Sequence, residues 1–82
     1  MTDRERLWFE LEKGLSALVE QLAVNIDAKN LELLRDLISN REYGVGLEWL
    51  HSILTERSIA LSRSQREEVQ RLARLMDIRL EN

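Results

Sequence analysis

The sequence predicts an all-α fold, a small single-domain, four-helix bundle-like structure with short loops. Apolar residues recur at steps of three and four along most of the chain, which is the period of a helix with one buried face. Residue types that cap helix N-termini separate these stretches, and no run alternates well enough to indicate a strand. Because the four apolar faces can be buried only against one another, we expect a bundle.

The first two helices are marked by their caps and apolar faces. Thr2 and Glu5 have the spacing of a capping box, and Gly14 should let a neighbouring helix come close. The apolar face of the first helix is Trp8, Leu11, Leu15, Leu18, Val19 and Leu22. Asn25 and Asp27 are candidates to cap the second helix. The apolar face of that helix would be Leu31, Leu34, Leu37 and Ile38.

The third helix is predicted to follow the second at once. Ser39 and Glu42 have capping-box spacing, so the second helix should end near Ser39. The third helix would bury Tyr43, Leu47, Leu50, Ile53 and Leu54. Residues 58–61 show no helical face and are predicted to form a connection.

A fourth helix should begin after one of two capping pairs, Ser62 with Gln65 or Ser64 with Glu67. Its apolar stripe is Val69, Leu72, Ala73 and Met76. Beyond this helix, Ile78 and Leu80 are predicted to fold back over the end of the bundle.

Composition limits the functional classes. A chain of 82 residues allows one domain, predicted to span residues 1–82, with a single core. The absence of cysteine excludes a secreted disulfide scaffold. The N-terminus is charged and no apolar stretch approaches the roughly 20 residues of a membrane span, so we predict a cytoplasmic protein with no membrane partner. A net charge of −3 over mixed acids and bases gives no field that attracts nucleic acid.

Two of the three glycines, Gly44 and Gly46, lie one residue apart where the third helix begins. A helical glycine is less stable than alanine by about 1 kcal/mol, so the pair needs a reason. A phosphate-binding loop would follow a strand and bring more glycines, or a lysine and hydroxyl pair. We therefore predict that both glycines serve close packing at the junction of the second and third helices.

Catalytic chemistry has little support in the sequence. His51 is the only histidine, lies next to core-facing Leu50, and is expected to flank the bundle as a structural or solvent-facing residue. Glu48, His51 and Ser52 share part of a helical surface, but no third element completes a nucleophilic site. One histidine with scattered carboxylates does not make a metal site. We predict that the protein is not an enzyme and has no catalytic residue, cofactor or metal.

Four arginines lie on the predicted last helix: Arg63, Arg66, Arg71 and Arg74. Three of them share one side, which is an arrangement that phosphate groups favour. Glu67 and Glu68 interrupt the run, and Glu67 is spaced to pair with Arg71, so a self-neutralising surface is the preferred interpretation. A helix-turn-helix at the second junction would place Glu42 and Glu48 on the recognition helix, the wrong sign for phosphate.

Aromatic and acidic residues indicate protein binding instead. Trp8 and Tyr43 fit core stripes, whereas Phe9 and Trp49 fall about 100° or more from the centre of theirs. Exposed, these two would indicate a docking surface; covered by a neighbouring helix or terminus, they would be core, and the sequence leaves both alternatives open. Four acidic residues on the second and third helices would attract a basic partner. They are Asp36, Glu42, Glu48 and Glu56.

One segment carries a family resemblance. Arg41-Glu42-Tyr43-Gly44-Val45-Gly46-Leu47-Glu48-Trp49-Leu50 resembles the central signature of the MafI-type immunity proteins, small proteins encoded beside polymorphic toxins that bind and silence the toxin. The opening helix, the second helix and the last helix ending Leu72-Ala73-x-Leu75-Met76 are also similar to the family pattern. The chain departs from that pattern at Gly46, where alanine is usual. The resemblance implies a stoichiometric inhibitor with no activity of its own.

The resemblance and the acidic helices together predict an immunity protein that occludes a cognate polymorphic or contact-dependent-inhibition toxin. A nuclease-type toxin is the expected partner, because its substrate groove is positive. The predicted partner-binding residues are Asp36, Glu42, Tyr43, Glu48, Trp49 and Glu56. The alternative is a non-enzymatic helical adaptor or regulatory domain, dimerising through an exposed aromatic patch, and a third interpretation is a DNA-binding regulator.

Overall fold

The computed structural model describes residues 2–80, and within that range the chain forms four α-helices and no strand. The helices are α1 (Asp3–Leu22), α2 (Ala28–Ser39), α3 (Tyr43–Glu56) and α4 (Arg63–Leu75). A 3₁₀ turn, Ala23–Asn25, leads from α1 towards α2. The predicted all-α, four-helix fold is confirmed. The predicted domain also takes in residues 1, 81 and 82, which lie outside the described range.

The core forms where α1 packs against each of the other three helices, while α3 also packs against α2 and α4. Apolar stripes from all four helices meet there, as the three- and four-residue periodicity predicts. Its fully buried side chains are Leu15, Leu18, Val19, Leu34, Leu47, Leu50 and Leu72. Ile59, Leu61, Met76 and Leu80 are partly buried against this core, so the connection after α3 and the residues after α4 help to close it.

The N-terminal caps of α1, α2 and α4 match predicted positions. The side chains of Thr2 and Ser62 both form capping boxes, with Glu5 and Gln65 respectively, and Asp27 caps α2. The structure thus selects Ser62 with Gln65 over the Ser64 alternative. It also selects Asp27 over Asn25, which lies in the 3₁₀ turn.

The predicted capping box of Ser39 and Glu42 is wrong. Glu42 occupies the N-cap position of α3 but makes no side-chain capping bond. In the predicted box, Ser39 would accept a hydrogen bond from the backbone N–H of Glu42. That N–H donates instead to the carbonyl oxygen of Leu37 at 2.8 Å, in the motif that ends α2.

Three helices end in the same way, with a residue other than glycine in the left-handed conformation. Arg41, Ser58 and Asp77 have φ values of 60°, 51° and 54° and follow the last residues of α2, α3 and α4. At each end two backbone N–H groups bond to carbonyls three and five residues earlier, such as Ile59 N to Leu54 O at 2.9 Å. This is the Schellman motif, which usually places glycine at the left-handed position.

The distances around the glycines show close packing at each of them, but the nearest neighbours of Gly44 and Gly46 lie outside the predicted junction of α2 and α3. At Gly14, a β-carbon would lie 3.0 Å from Leu72 Cδ2, so α1 and α4 approach closely there. At Gly46 it would lie 3.2 Å from Leu15 Cδ2, where α3 meets α1. Gly44 differs, because a β-carbon there would meet only Ile78 Cδ1, at 3.3 Å. Gly44 therefore accommodates the segment after α4, which folds back as predicted.

Candidate partner-binding surface

Trp49 is held in place although it is exposed. Its side chain on α3 is 43% exposed, and its indole Nε1 donates a hydrogen bond to Asn30 Oδ1 on α2 at 3.0 Å. Asn30 is fixed in turn by Asp27, whose Oδ1 accepts from Asn30 Nδ2 at 2.7 Å. Arg57 pairs with the same carboxylate oxygen at 3.2 Å. These contacts restrain the ring, and a restrained side chain loses less entropy in a contact than a free one.

The helix-capping role of Asp27 supports this network. Asp27 Oδ2 accepts a hydrogen bond from the backbone N–H of Asn30 at 3.2 Å. The two hydrogen bonds from Asn30, with a smaller contribution from the charge of Arg57, lower the pKa of Asp27 below its ordinary value. The carboxylate form that positions Asn30, and through it Trp49, is therefore the form that the fold favours.

Trp49 belongs to a second stripe on α3, which faces solvent rather than the core. We call this the outer stripe, and its residues are Glu42, Val45, Trp49, Ser52 and Glu56. The intervals are three, four, three and four residues, so these residues follow one line along the helix. All five are exposed, Val45 by 46% of its surface. The outer stripe thus has two apolar residues near its middle and one acid at each end.

Leu33 on α2 widens the apolar part of the outer stripe. It lies one turn from Asn30, the residue that Trp49 binds, and it is 36% exposed. Because only residues 40–42 separate α2 from α3, and Trp49 reaches the first turn of α2, the two helices run side by side in opposite directions. This register brings Leu33 on α2 near the level of Val45 and Trp49 on α3.

The four predicted acidic residues are exposed, and none of them forms an ion pair with another residue of the range 2–80. Glu42 and Glu56 end the outer stripe, Asp36 follows Leu33 by one turn of α2, and Glu48 lies beside the stripe on α3. Unpaired carboxylates around an apolar centre leave a negative surface that a cationic protein can neutralise.

Tyr43, also predicted to bind a partner, is a core residue with only 5% of its surface exposed. Burial raises the pKa of its hydroxyl, the negative charge of Glu12 raises it further, and Arg41 opposes both. Tyr43 therefore affects the surface by anchoring the first turn of α3 next to Glu42, rather than by offering its own side chain.

The other off-stripe aromatic, Phe9, is 51% exposed and lies on α1, so it is not part of the outer stripe. It lines a shallow recess with Trp8 and Tyr43, and the guanidinium of Arg41 stacks over the Trp8 ring at 4.7 Å. Phe9 and Trp49 are both exposed, so neither is a core residue.

His51 lies on the other flank of α3 and is half-buried. With Glu48, Glu56 and Arg79 it lines an open recess of about 700 Å³. Among the described residues no group of three or more histidine, cysteine or acidic side chains is arranged to hold a metal ion.

The predicted pairing of Glu67 with Arg71 on α4 is wrong. Glu67 instead accepts a hydrogen bond from Arg63 Nε at 3.2 Å. Arg71 binds Glu68 through both Nε and Nη2, at 2.6 and 2.9 Å, and lies 3.7 Å from Glu10 on α1. The pair with Glu68, three residues before Arg71 on α4, thus replaces the predicted pair, and the longer contact with Glu10 joins α4 to α1.

Three contributors to the surface are absent from the sequence prediction: Asn30, Leu33 and Val45. Val45 lies four residues before Trp49, so the same off-core position identifies it from spacing alone. Asn30 and Leu33 lie 19 and 16 residues before Trp49 and are brought beside it by the α2–α3 packing. No local pattern in the sequence identifies them.

Comparison with protein-family models, curated proteins and solved structures finds no match. Within residues 2–80, no helix combines the length and the apolar character that crossing a bilayer requires.

Proposed function

We propose that the protein is a MafI-type immunity protein, which binds a cognate polymorphic or contact-dependent-inhibition toxin in the bacterial cytoplasm and blocks it by occlusion. The toxin would be a nuclease-type domain with a basic surface, and the complex would contain one copy of each chain. In this proposal the inhibitor performs no chemistry and needs no cofactor.

The observation that carries the proposal is the restrained, exposed Trp49. An indole that is 43% exposed yet hydrogen-bonded to a neighbouring helix is preorganised for contact. The unpaired acids around it suit a cationic partner, since complementary charges speed encounter. The resemblance of residues 41–50 to the immunity-protein signature places Trp49 and two of these acids within the segment most similar to the family.

The test is neutralisation of the toxin encoded beside the gene for this chain, with binding kinetics measured on the purified pair. Reversing Glu48 and Glu56 to lysine should slow association and weaken its salt dependence, because charges at an interface rim act mainly on encounter. Trp49→Ala should speed dissociation and weaken binding by about 2 kcal/mol or more.

Phe9→Ala is the matched control, because it removes an equally exposed aromatic from α1. Circular dichroism must first show that every variant folds. If the folded Glu48, Glu56 and Trp49 variants protect cells and bind like the parent, the toxin uses another face. If no neighbouring toxin binds the parent, the immunity function is wrong.

The second candidate is a helical adaptor or regulatory domain. The cluster of Leu33, Val45 and Trp49 favours it, because exposed apolar groups that lie together mark interaction sites for many kinds of partner. Under this candidate Trp49→Ala would abolish partner binding while toxin sensitivity stayed unchanged, which separates the two functions.

A further inference from the structure

The outer stripe of α3 has the spacing of a helix-docking seam. Its five residues recur at three- and four-residue intervals, as do the positions through which one helix packs along another. The core stripe of α3 lies on a different side of the helix, with Leu47, Leu50 and Leu54 buried. The helix therefore has one apolar side that is satisfied within the fold and a second, shorter one that is open.

The groove beside the outer stripe is shaped by helices alone. Leu33 and Asn30 form its α2 side, and no strand edge exists within residues 2–80 to pair with an extended peptide. An incoming helix would lay apolar side chains at i, i+3 and i+7 against Val45, Trp49 and Leu33. Such a helix also satisfies its own backbone hydrogen bonds, which an extended segment on this surface would not.

Charge determines which helix fits. If a second copy of the chain docked in the antiparallel direction, Glu42 of each copy would face Glu56 of the other. In the parallel direction each glutamate would face its own counterpart. Like charges are opposed in both cases, which disfavours self-association. A helix with lysine or arginine at both ends faces opposite charges in either direction.

We propose that the outer stripe is the docking site for a basic amphipathic helix of the partner protein. The docked helix presents an apolar centre to Trp49, and its cationic residues lie about 21 Å apart, the length of the 14-residue interval from Glu42 to Glu56. This inference shares its surface with the proposed function and specifies which element of a toxin would occupy it.

The experiment uses the full chain and a synthetic peptide as the probe, so no toxin is required. The peptide has about 20 residues, helix-forming alanines, leucines at the facing positions and arginine near both ends. A counterpart carries glutamate in place of arginine. Binding is measured by titration calorimetry, and the contact face is mapped from amide chemical shifts.

The basic peptide should bind the parent chain, with shifts concentrated in α3 and the start of α2, and its acidic counterpart should not bind. Glu42→Lys with Glu56→Lys should weaken binding by about tenfold or more. Glu12→Lys with Glu67→Lys is the matched control, with the same change of net charge on α1 and α4, and should retain most of the affinity. If the double lysine variant does not fold, Glu42→Gln with Glu56→Gln removes both charges and should weaken binding in the same direction.

Several results would overturn the inference: no binding of the basic peptide, equal binding of its acidic counterpart, equal loss in the α1 and α4 control, or shifts centred on α4. A dimer of the parent that Trp49→Ala dissolves would also overturn it, by showing that a second copy occupies the stripe. Peptide binding without toxin neutralisation would leave the docking site standing and reject the immunity function. If the protein neutralises a toxin whose loop or strand contacts Trp49, the immunity function would stand and the docking of a helix would be rejected.

Discussion

Individual residues limit how closely the helices approach, and Gly46 is the clearest case. The residue is buried, and a β-carbon on it would lie 3.2 Å from Leu15 Cδ2 and 3.8 Å from Leu37 Cβ. A longer side chain has no free space on that side of α3. We expect Gly46→Leu to lower the free energy of unfolding by about 1–3 kcal/mol through overpacking, measured by urea denaturation.

The control for Gly46 is its neighbour Val45, which faces solvent on the outer stripe. Val45→Leu adds a methylene to the same turn of α3 without meeting α1 and should change stability by less than about 0.5 kcal/mol. Equal urea midpoints for Gly46→Leu and the parent would contradict the close contact between α3 and α1.

Asp27 gives a prediction about pH at the same scale. The pKa of Asp27 is lowered in the folded chain, chiefly by hydrogen bonds from Asn30. A lowered folded-state pKa stabilises the fold above the unfolded-state value, near 4, and this stabilisation disappears as pH falls through the folded-state pKa. Between about pH 5 and pH 2 the parent should therefore lose stability.

Asp27→Asn tests the origin of that loss. Asparagine caps helices about as well as aspartate but does not ionise in this range. Urea midpoints of the variant should decline less steeply with acid than those of the parent. Parallel pH profiles would mean that Asp27 contributes nothing to the acid sensitivity, leaving Glu20 and Glu68, whose pKa values are also lowered by arginine partners.

At the level of the helices, three C-terminal ends place a residue other than glycine in the unfavourable left-handed conformation. Ser58 holds a left-handed φ of 51° after α3, where a β-carbon crowds the backbone and glycine does not. We expect Ser58→Gly to raise the free energy of unfolding by up to about 1 kcal/mol, because relief of this strain exceeds the added entropy of the unfolded chain. Thermal unfolding followed by circular dichroism measures the change.

The same substitution inside α3 should act in the opposite direction. Ser52 is exposed on the outer stripe with helical backbone on both sides. Ser52→Gly should therefore destabilise the fold by about 0.5 kcal/mol through helix propensity alone. A Ser58 variant that is destabilised as well would show that the left-handed residue carries no removable strain.

The helices themselves could be predicted from the sequence because their buried apolar residues recur every three or four positions. A short stretch of sequence is enough to show that pattern. Capping by Thr2 was predictable for the same reason, since the cap and its partner are three residues apart, whereas spacing left Ser62 as one of two candidates. The Ser39 prediction failed where two local patterns compete for one N–H, that of Glu42. The anchoring of Trp49 was not predictable, since it depends on Asn30, which only the packing of α2 against α3 brings near.

On the scale of the whole molecule, one core joins all four helices, so unfolding should be a single transition. Trp8 on α1 and Trp49 on α3 report on two different helices. Fluorescence of the tryptophans and circular dichroism should give coincident urea curves. With no cysteine in the sequence and no group of metal ligands among residues 2–80, reductant and chelator should leave those curves unchanged.

Separate transitions by the two probes would contradict the single-domain prediction. A chelator-dependent midpoint would point to a metal that stabilises the fold. A strong strand contribution in circular dichroism would reject the fold itself. Single-tryptophan variants, Trp8→Phe and Trp49→Phe, assign each fluorescence change to one helix.

The packing of α1 against all three other helices affects when the protein can fold during its synthesis. The ribosome synthesises α1 first and α4 last, yet Gly14 on α1 packs directly against Leu72 on α4. While α4 is still inside the ribosome, the α1 surface that α4 will cover has no partner, and the apolar core cannot close. Folding is therefore completed only after synthesis has passed α4, so the surface around Trp49 becomes fully supported late, when α4 has docked against α1 and α3.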